Sequence, residues 1–175
     1  MPAFGDPHAW LAIVGLAPGK QGANRTGRPF TGDYSGALFY STLIKFGLAV
    51  GTYCGEADDG VRLVGTIVLN AVKCLPPGNR PLPAEVATCR NYLEASLATL
   101  PRVSVILALG QIAHGSAAKA LGIGPLKFAH GREAAVGDGR VLLSTYHCSR
   151  QNTNTGKLTR AMFESVFERA LKLHA

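Results

Sequence analysis

Long hydrophobic runs are missing from this chain. Its apolar segments stop at four to eight residues, well short of the roughly 20 needed to cross a bilayer as a helix. The first residues, Met1 to Asp6, carry neither a basic stretch nor an apolar stretch of the secretory kind, so an intracellular protein is expected. Acidic residues are scarce: 11 stand against 18 Lys and Arg, a formal charge of +7. That excess favours a polyanionic partner, although charge alone does not separate such a partner from an enzyme that happens to be basic. Cysteines number four, Cys54, Cys74, Cys89 and Cys148; inside a cell they stay reduced, so buried or metal-binding roles precede disulfides. No internal repeat, low-complexity tract or linker interrupts the sequence. What remains is 175 residues, 47% of them apolar, enough for one domain over residues 1–175 with a real core.

The apolar runs are Leu11 to Leu16, Leu63 to Leu69, Val103 to Leu109 and Val141 to Tyr146. They are rich in Val, Ile and Leu, and apolar without alternation, which predicts strands covered on both faces of a parallel sheet. Helical patterns lie between and after them, at Ser35 to Phe46, Pro83 to Leu100, Gln111 to Leu121 and Lys157 to Leu173. The alternation predicts an α/β protein, a three-layer α/β/α sandwich with a central, mostly parallel four-stranded sheet.

Each strand then breaks into polar, glycine- and proline-rich sequence. The first break reads Gly15-Leu16-Ala17-Pro18-Gly19, then Asn24-Arg25-Thr26-Gly27-Arg28-Pro29-Phe30-Thr31-Gly32-Asp33. The others are Asn70 to Arg80, Ala108-Leu109-Gly110, and His147-Cys148-Ser149-Arg150-Gln151-Asn152-Thr153. Ligands of α/β sheets bind beyond the carboxyl ends of the strands, so the four loops are expected to share one crevice. Lys20, Arg25, Arg28, Lys73, Arg80 and Arg150 all fall in or beside these loops.

Together the loops resemble the uracil-DNA glycosylase superfamily, and most closely its family 5. Gly15 to Pro18, Asn24 to Arg28 and Phe30 to Asp33 are similar to the first motif of that family. Asn70 to Pro77 with Thr88-Cys89 is similar to the second region. His147 to Thr153, followed by Thr155-Gly156 and Leu158-Thr159, is similar to the last. The resemblance runs from about Phe4 to Ala170 and implies hydrolysis of the N-glycosidic bond of uracil in DNA. Hypoxanthine and other deaminated bases are among the implied substrates, and an abasic site is the product. Double-stranded and single-stranded DNA are the implied partners of a monomer in a prokaryotic cytoplasm, associated with the nucleoid.

The family also carries a 4Fe-4S cluster on four cysteines. Cys74 and Cys89 match its two downstream ligands, whereas Cys54 and Cys148 do not match the upstream pair, which the family holds in a segment ahead of the region that starts here. Two ligands do not make a four-thiolate site. Either an amino-terminal segment is missing or the protein lacks the cluster. Cys148 also stands where the family usually has a proline, which would stiffen that loop.

Roles follow residue by residue. The side-chain amide of Asn70 offers a donor and an acceptor to a uracil edge; the alternative is a strand-end asparagine bonded to local backbone. Phe30 is read as the face on which a flipped base stacks, against a core phenylalanine. Gly15 and Ala17 are expected to line the base pocket. His147 is expected to stabilise the departing base as negative charge grows on it. Water activation has two candidates, Asp33 and Asn24, and Asp33 reads equally well as the cap of the helix that follows. Ser149, Arg150 and Gln151 are assigned to wedging and gripping DNA, and Gly19, Lys20 and Arg25 to backbone phosphates.

Three rival readings compete with this one. Gly15 to Lys20 is too short between its glycines for a phosphate loop and is followed by Gln21 where Ser or Thr should stand. A DNA-binding module that has lost catalysis would bind without releasing a base. A metallo-hydrolase would need His114, His130 and His147 as ligands, and their spacing is not that of a metal site.

Overall fold

A computed structural model describes the backbone of all 175 residues and every side chain except that of Asn79. In chain order the elements are β1 (Phe4–Gly5), β2 (Leu11–Gly15), α1 (Ala23–Thr26), α2 (Tyr34–Lys45), β3 (Ala49–Val50), β4 (Arg62–Leu63) and β5 (Thr66–Asn70). A short 3-10 turn at Pro77–Asn79 precedes α3 (Pro83–Ala98), β6 (Val105–Leu109), α4 (Gln111–Ala120), β7 (Glu133–Ala135), β8 (Val141–Thr145), α5 (Arg150–Asn154) and α6 (Arg160–His174).

The central sheet has six strands in the order β1-β5-β2-β6-β8-β7. This corrects the expected four. The inner strands β5, β2, β6 and β8 are the four apolar runs and pair in parallel, while β1 and β7 add antiparallel edges. The edge strands are two and three residues long and carry no apolar run, so no periodicity announces them. The run Leu63 to Leu69 is also divided. Leu63 ends β4, which pairs with β3 in a separate two-stranded sheet, and the chain turns at Gly65 (φ +56°), where a Cβ would lie 2.8 Å from the Trp10 indole. Only a residue without a side chain makes that turn against the ring.

Side chains of the parallel strands alternate between two cores, as the two-residue period of a strand requires. Leu11, Ile13, Val105, Leu107 and Leu143 pack with Phe39, Leu43, Phe163 and Phe167 of α2 and α6. Ala12, Val14, Ile106, Ala108 and Leu142 pack with Leu93, Leu97, Ala113 and Ala117 of α3 and α4. The result is the expected three-layer α/β/α sandwich, its sheet covered on both sides. At the carboxyl end the strands continue into one another's loops: Ala71 N donates to Gly15 O (2.9 Å), Val72 N to Leu16 O (2.8 Å) and Gly110 N to Thr145 O (2.8 Å). These bonds fix the starting points of all four loops.

Candidate active site

The chain leaves β2, runs to β5 on one side of it, then crosses to β6 on the other. Such a switch of direction opens a crevice beyond the strand ends, and a cavity of about 740 Å³ lies there. Its wall takes Leu16, Ala17, Gly19 and Lys20 from the loop after β2, Phe30 and Asp33 from the loop before α2, Asn70 from the end of β5, and His147, Ser149 and Gln151 from the loop after β8. Three of the four expected loops, those after β2, β5 and β8, therefore share one cavity; the Leu109-Gly110 loop after β6 departs from the expectation and lines a neighbouring cavity of about 500 Å³, which it shares with Leu16 and His147.

Phe30 is the only non-glycine residue at positive φ (+54°) among the described residues. Such a backbone is uncommon outside glycine and persists where surrounding structure over-determines it. Here the Tyr40 hydroxyl donates to Pro29 O (2.7 Å) and the Tyr53 hydroxyl to Phe30 O (3.1 Å). The Phe30 ring stacks on Phe39, centroids 4.1 Å apart, and is 8% exposed. It therefore belongs to the core on one side and lines the cavity on the other. The His147 ring lies 5.9 Å away, tilted by 32°.

Asn70 is 6% exposed. Its Oδ1 lies 3.0 Å from where a Cβ on Gly15 would be, and the Phe30 ring 3.4 Å from the same point. Gly15 thus lets the Asn70 amide and the Phe30 ring approach β2; it borders the cavity from behind rather than lining it. The Asn70 amide nitrogen faces the Met1 sulfur at 3.6 Å.

Asp33 caps α2, its Oδ1 accepting from Ser35 N at 3.0 Å, and it also lines the cavity. Its Oδ2 rests against the backbone of Gly19 and Gly22; a Cβ on Gly22 would lie 2.3 Å from it. Burial pushes the pKa of His147 below its ordinary value, and the negative charge of Asp33 pulls the other way. The imidazole is therefore held toward its neutral form. Its backbone carbonyl accepts from Asn152 Nδ2 (2.8 Å), and Ser149 caps α5 by accepting from Asn152 N (3.3 Å). Asn152 so ties the His147 loop to the helix after it.

Asn24 and Arg25 sit on the exposed side of α1, outside the cavity wall, with Arg25 Nε donating to Gln21 O (3.1 Å). Arg150 is exposed and lies over the ring of Tyr34, 5.0 Å from its centroid. Tyr34, 46% exposed, lines the cavity mouth. Its place beside Asp33 was the available signal, but the pattern from Ser35 onward draws attention to the buried helix face instead. Arg28 departs from the crevice grouping. It is buried, paired two-pronged with Asp59 (2.6 and 2.8 Å), and it donates to Thr31 Oγ1 (2.6 Å). Its charge is spent inside the protein, and Asp59, in a plain Asp-Asp-Gly turn, gave no hint of it.

His114 is a core residue. A carbonyl only accepts, so its Nε2 donates to Leu126 O (2.9 Å) and its Nδ1 accepts from the Ser144 hydroxyl (2.7 Å), which leaves no lone pair for a metal. Cys54 and Cys74 are exposed, Cys89 is half-buried and Cys148 is buried. Burial pushes the Cys148 thiol up to about 12, so it is a packing group and not a thiolate ligand. No three His, Cys, Asp or Glu residues gather as a metal site among the described residues. The cysteines of this chain therefore do not fit a four-thiolate cluster by themselves.

Comparison with known proteins places the chain in a family. Residues 2–171 match the family described as the Uracil DNA glycosylase superfamily. A type-5 uracil-DNA glycosylase of Thermus thermophilus is 46% identical over 99% of this chain and 80% of its own length. One from Mycobacterium bovis is 41% identical over 99% of the chain and 66% of its own length. A type-4 uracil-DNA glycosylase of Archaeoglobus fulgidus is 34% identical over 65% of the chain and 49% of its own length. The motifs, the sheet and these relatives agree, and the chain belongs to the uracil DNA glycosylase superfamily, within its type-5 branch.

Proposed function

We propose that this chain, acting as a single domain, removes uracil from DNA by hydrolysing its N-glycosidic bond, leaving an abasic site. The observation that carries the proposal is the convergence of Phe30, Asn70, Asp33 and His147 on one cavity. A base must leave the helix to reach such a cavity, at a cost of a few kcal/mol, least at a mismatch. Stacking on the Phe30 face returns about 1–3 kcal/mol without regard to sequence. The Asn70 amide reads the imide edge of uracil, its oxygen accepting and its nitrogen donating.

Bond cleavage leaves negative charge on the base and positive charge on the sugar. A neutral His147 donates an N–H to the O2 of the departing base, where charge grows. Asp33 keeps one oxygen on the backbone of Ser35, and its other oxygen lies beside Gly19 and Gly22 in the cavity wall. There it orients water toward C1′ and supports the cationic sugar by charge. The water oxygen bonds to C1′ and keeps one hydrogen as the new hydroxyl, the C1′–N1 electron pair leaves with uracil, and the one proton released passes to the uracil anion through solvent. Asn24, on the far side of α1, would act only through a rearranged loop, so Asp33 takes the role.

Gly19, Lys20 and Arg25 face the DNA backbone phosphates in this reading, and Ser149, Arg150 and Gln151 fill the gap that the flipped base leaves. Hypoxanthine and other deaminated bases, in double or single strands, belong to the proposed range. The proposed setting is the cytoplasm, at the nucleoid, with the protein acting as a monomer; no helix is long and apolar enough to cross a membrane. A cluster on Cys74 and Cys89 would need two thiolates from outside residues 1–175, and no step above depends on one.

The test is base release from labelled oligonucleotides with U opposite G, U opposite A, single-stranded U and hypoxanthine, followed by alkaline cleavage. Strand scission at uracil supports the proposal. Binding without scission at any base replaces it with a non-catalytic DNA-binding module.

A further inference from the structure

Phe30 is held by machinery of its own. The Tyr53 hydroxyl reaches the carbonyl of this left-handed non-glycine residue, and the Tyr40 hydroxyl reaches the carbonyl before it. The two phenol rings stack on each other, 4.6 Å apart. The Arg28 guanidinium lies over both, 5.0 Å from the Tyr40 centroid and 5.7 Å from that of Tyr53. Asp59 holds Arg28 and also accepts from Cys54 N (3.0 Å) and Val61 N (3.1 Å), so it anchors the turn that carries Tyr53. Gly36 completes the arrangement: a Cβ there would lie 2.0 Å from the Tyr53 hydroxyl and 2.1 Å from Phe30 O. The amino-terminal turn of α2 passes this hydrogen bond at a distance that only glycine allows.

A core phenylalanine needs none of this, because apolar packing does not depend on a fixed carbonyl. A stacking face does: its plane has to meet a base delivered from outside at a set height and tilt. We propose that Tyr53, braced by Tyr40 and the Arg28–Asp59 pair, is a positioning residue that sets the orientation of the Phe30 ring for the flipped base. The inference rests on the reading of Phe30 as the stacking face. Tyr53 touches no substrate; it acts through the Phe30 peptide.

The test uses Tyr53→Phe, which keeps the ring stack and removes only the hydroxyl. Single-turnover uracil release and the fluorescence of 2-aminopurine placed next to uracil, which reports flipping, are measured in wild-type and Phe30→Ala backgrounds. In the wild-type background Tyr53→Phe lowers the release rate by about fivefold, the worth of one hydrogen bond. It also lowers the flipping signal, while the Kd for uracil-free duplex is unchanged. In the Phe30→Ala background the same change has no further effect, because its target is gone. An equal loss in both backgrounds, or a wild-type rate and flipping signal for Tyr53→Phe, overturns the proposal. If Tyr53→Phe melts too low to assay, Tyr40→Phe enters the same cycle with the same expected pattern. Should the wild-type protein release no uracil, the reading beneath the proposal fails instead, and the two failures are told apart by that control.

Discussion

One methyl group at Gly22 should disable the site without emptying it. The Cβ of Gly22→Ala would lie 2.3 Å from Asp33 Oδ2, 3.0 Å from its Cγ and 3.2 Å from its Cβ, where ordinary contact begins near 3.4 Å. All three atoms belong to one short side chain, so the carboxylate has to swing away by about 1 Å, a displacement worth on the order of 100-fold in rate when it falls on a reacting group. The swing also strains the Asp33–Ser35 cap, at a cost of about 1 kcal/mol, or roughly 2–4 °C in Tm for a protein of this size. Single-turnover uracil release and a thermal melt therefore separate the two effects: a large loss of rate beside a small loss of stability. Asp33→Asn should lose a similar factor, and Gly22→Ala combined with it should lose little more, since both act on one group. A wild-type rate in Gly22→Ala would refute the assignment of Asp33 to the reaction at its observed position.

The Arg28–Asp59 pair is buried, with side-chain exposures of 4% and 0%. Asp59→Ala should cost about 3–5 kcal/mol, because it strands a buried guanidinium, and chemical denaturation at pH 7 would measure it. Arg28 holds the Asp59 carboxyl well below the usual carboxylate range. The folded pKa is thus depressed, and its stabilisation is complete above about pH 5 and drains away as the pH falls below the unfolded value near 4. Asp59→Ala should flatten that acid limb. Burial lowers the His147 pKa, so the rate of base release should reach its plateau at a lower pH than an ordinary histidine would give and stay level above it; a rate that falls as pH rises through 6 to 7 would mean that the charged imidazole is required. Labelling of the native protein with a thiol reagent should modify Cys54 and Cys74 quickly, Cys89 more slowly and Cys148 only after unfolding, as exposure and the raised thiol pKa dictate; mass spectrometry of the labelled peptides would show the order.

The inner sheet was legible because parallel strands buried on both faces leave continuous apolar runs, and Leu11 to Gly15 is such a run. The edges were not, because Glu133 to Ala135 gains its pairing from Leu143, Leu142 and Val141 and has no pattern of its own. The crevice was legible because chemistry at strand ends is written in loops of glycine, proline and amides, as at Gly15 to Gly19 and at Asn70. The support behind it was not. Arg28 was grouped with the crevice charges because it stands among loop residues, and only the approach of Asp59, 31 positions later, shows that its charge is already paired. Tyr53 belongs to a stretch without periodicity, and its value lies in one hydrogen bond to a distant carbonyl. Asp33 had two readings, cap and water-orienting carboxylate, and the geometry allows both, since each oxygen has a different neighbour.

The central step is the action of His147 on the departing base, and His147→Ala tests it most directly. Single-turnover release from a U·G duplex and the Kd for the same duplex are measured side by side. The expected result is a loss of about 100- to 1,000-fold in rate with Kd changed by less than about threefold, since the interaction forms only as charge develops. Equal losses in rate and binding, or a rate near that of the wild type, would contradict it.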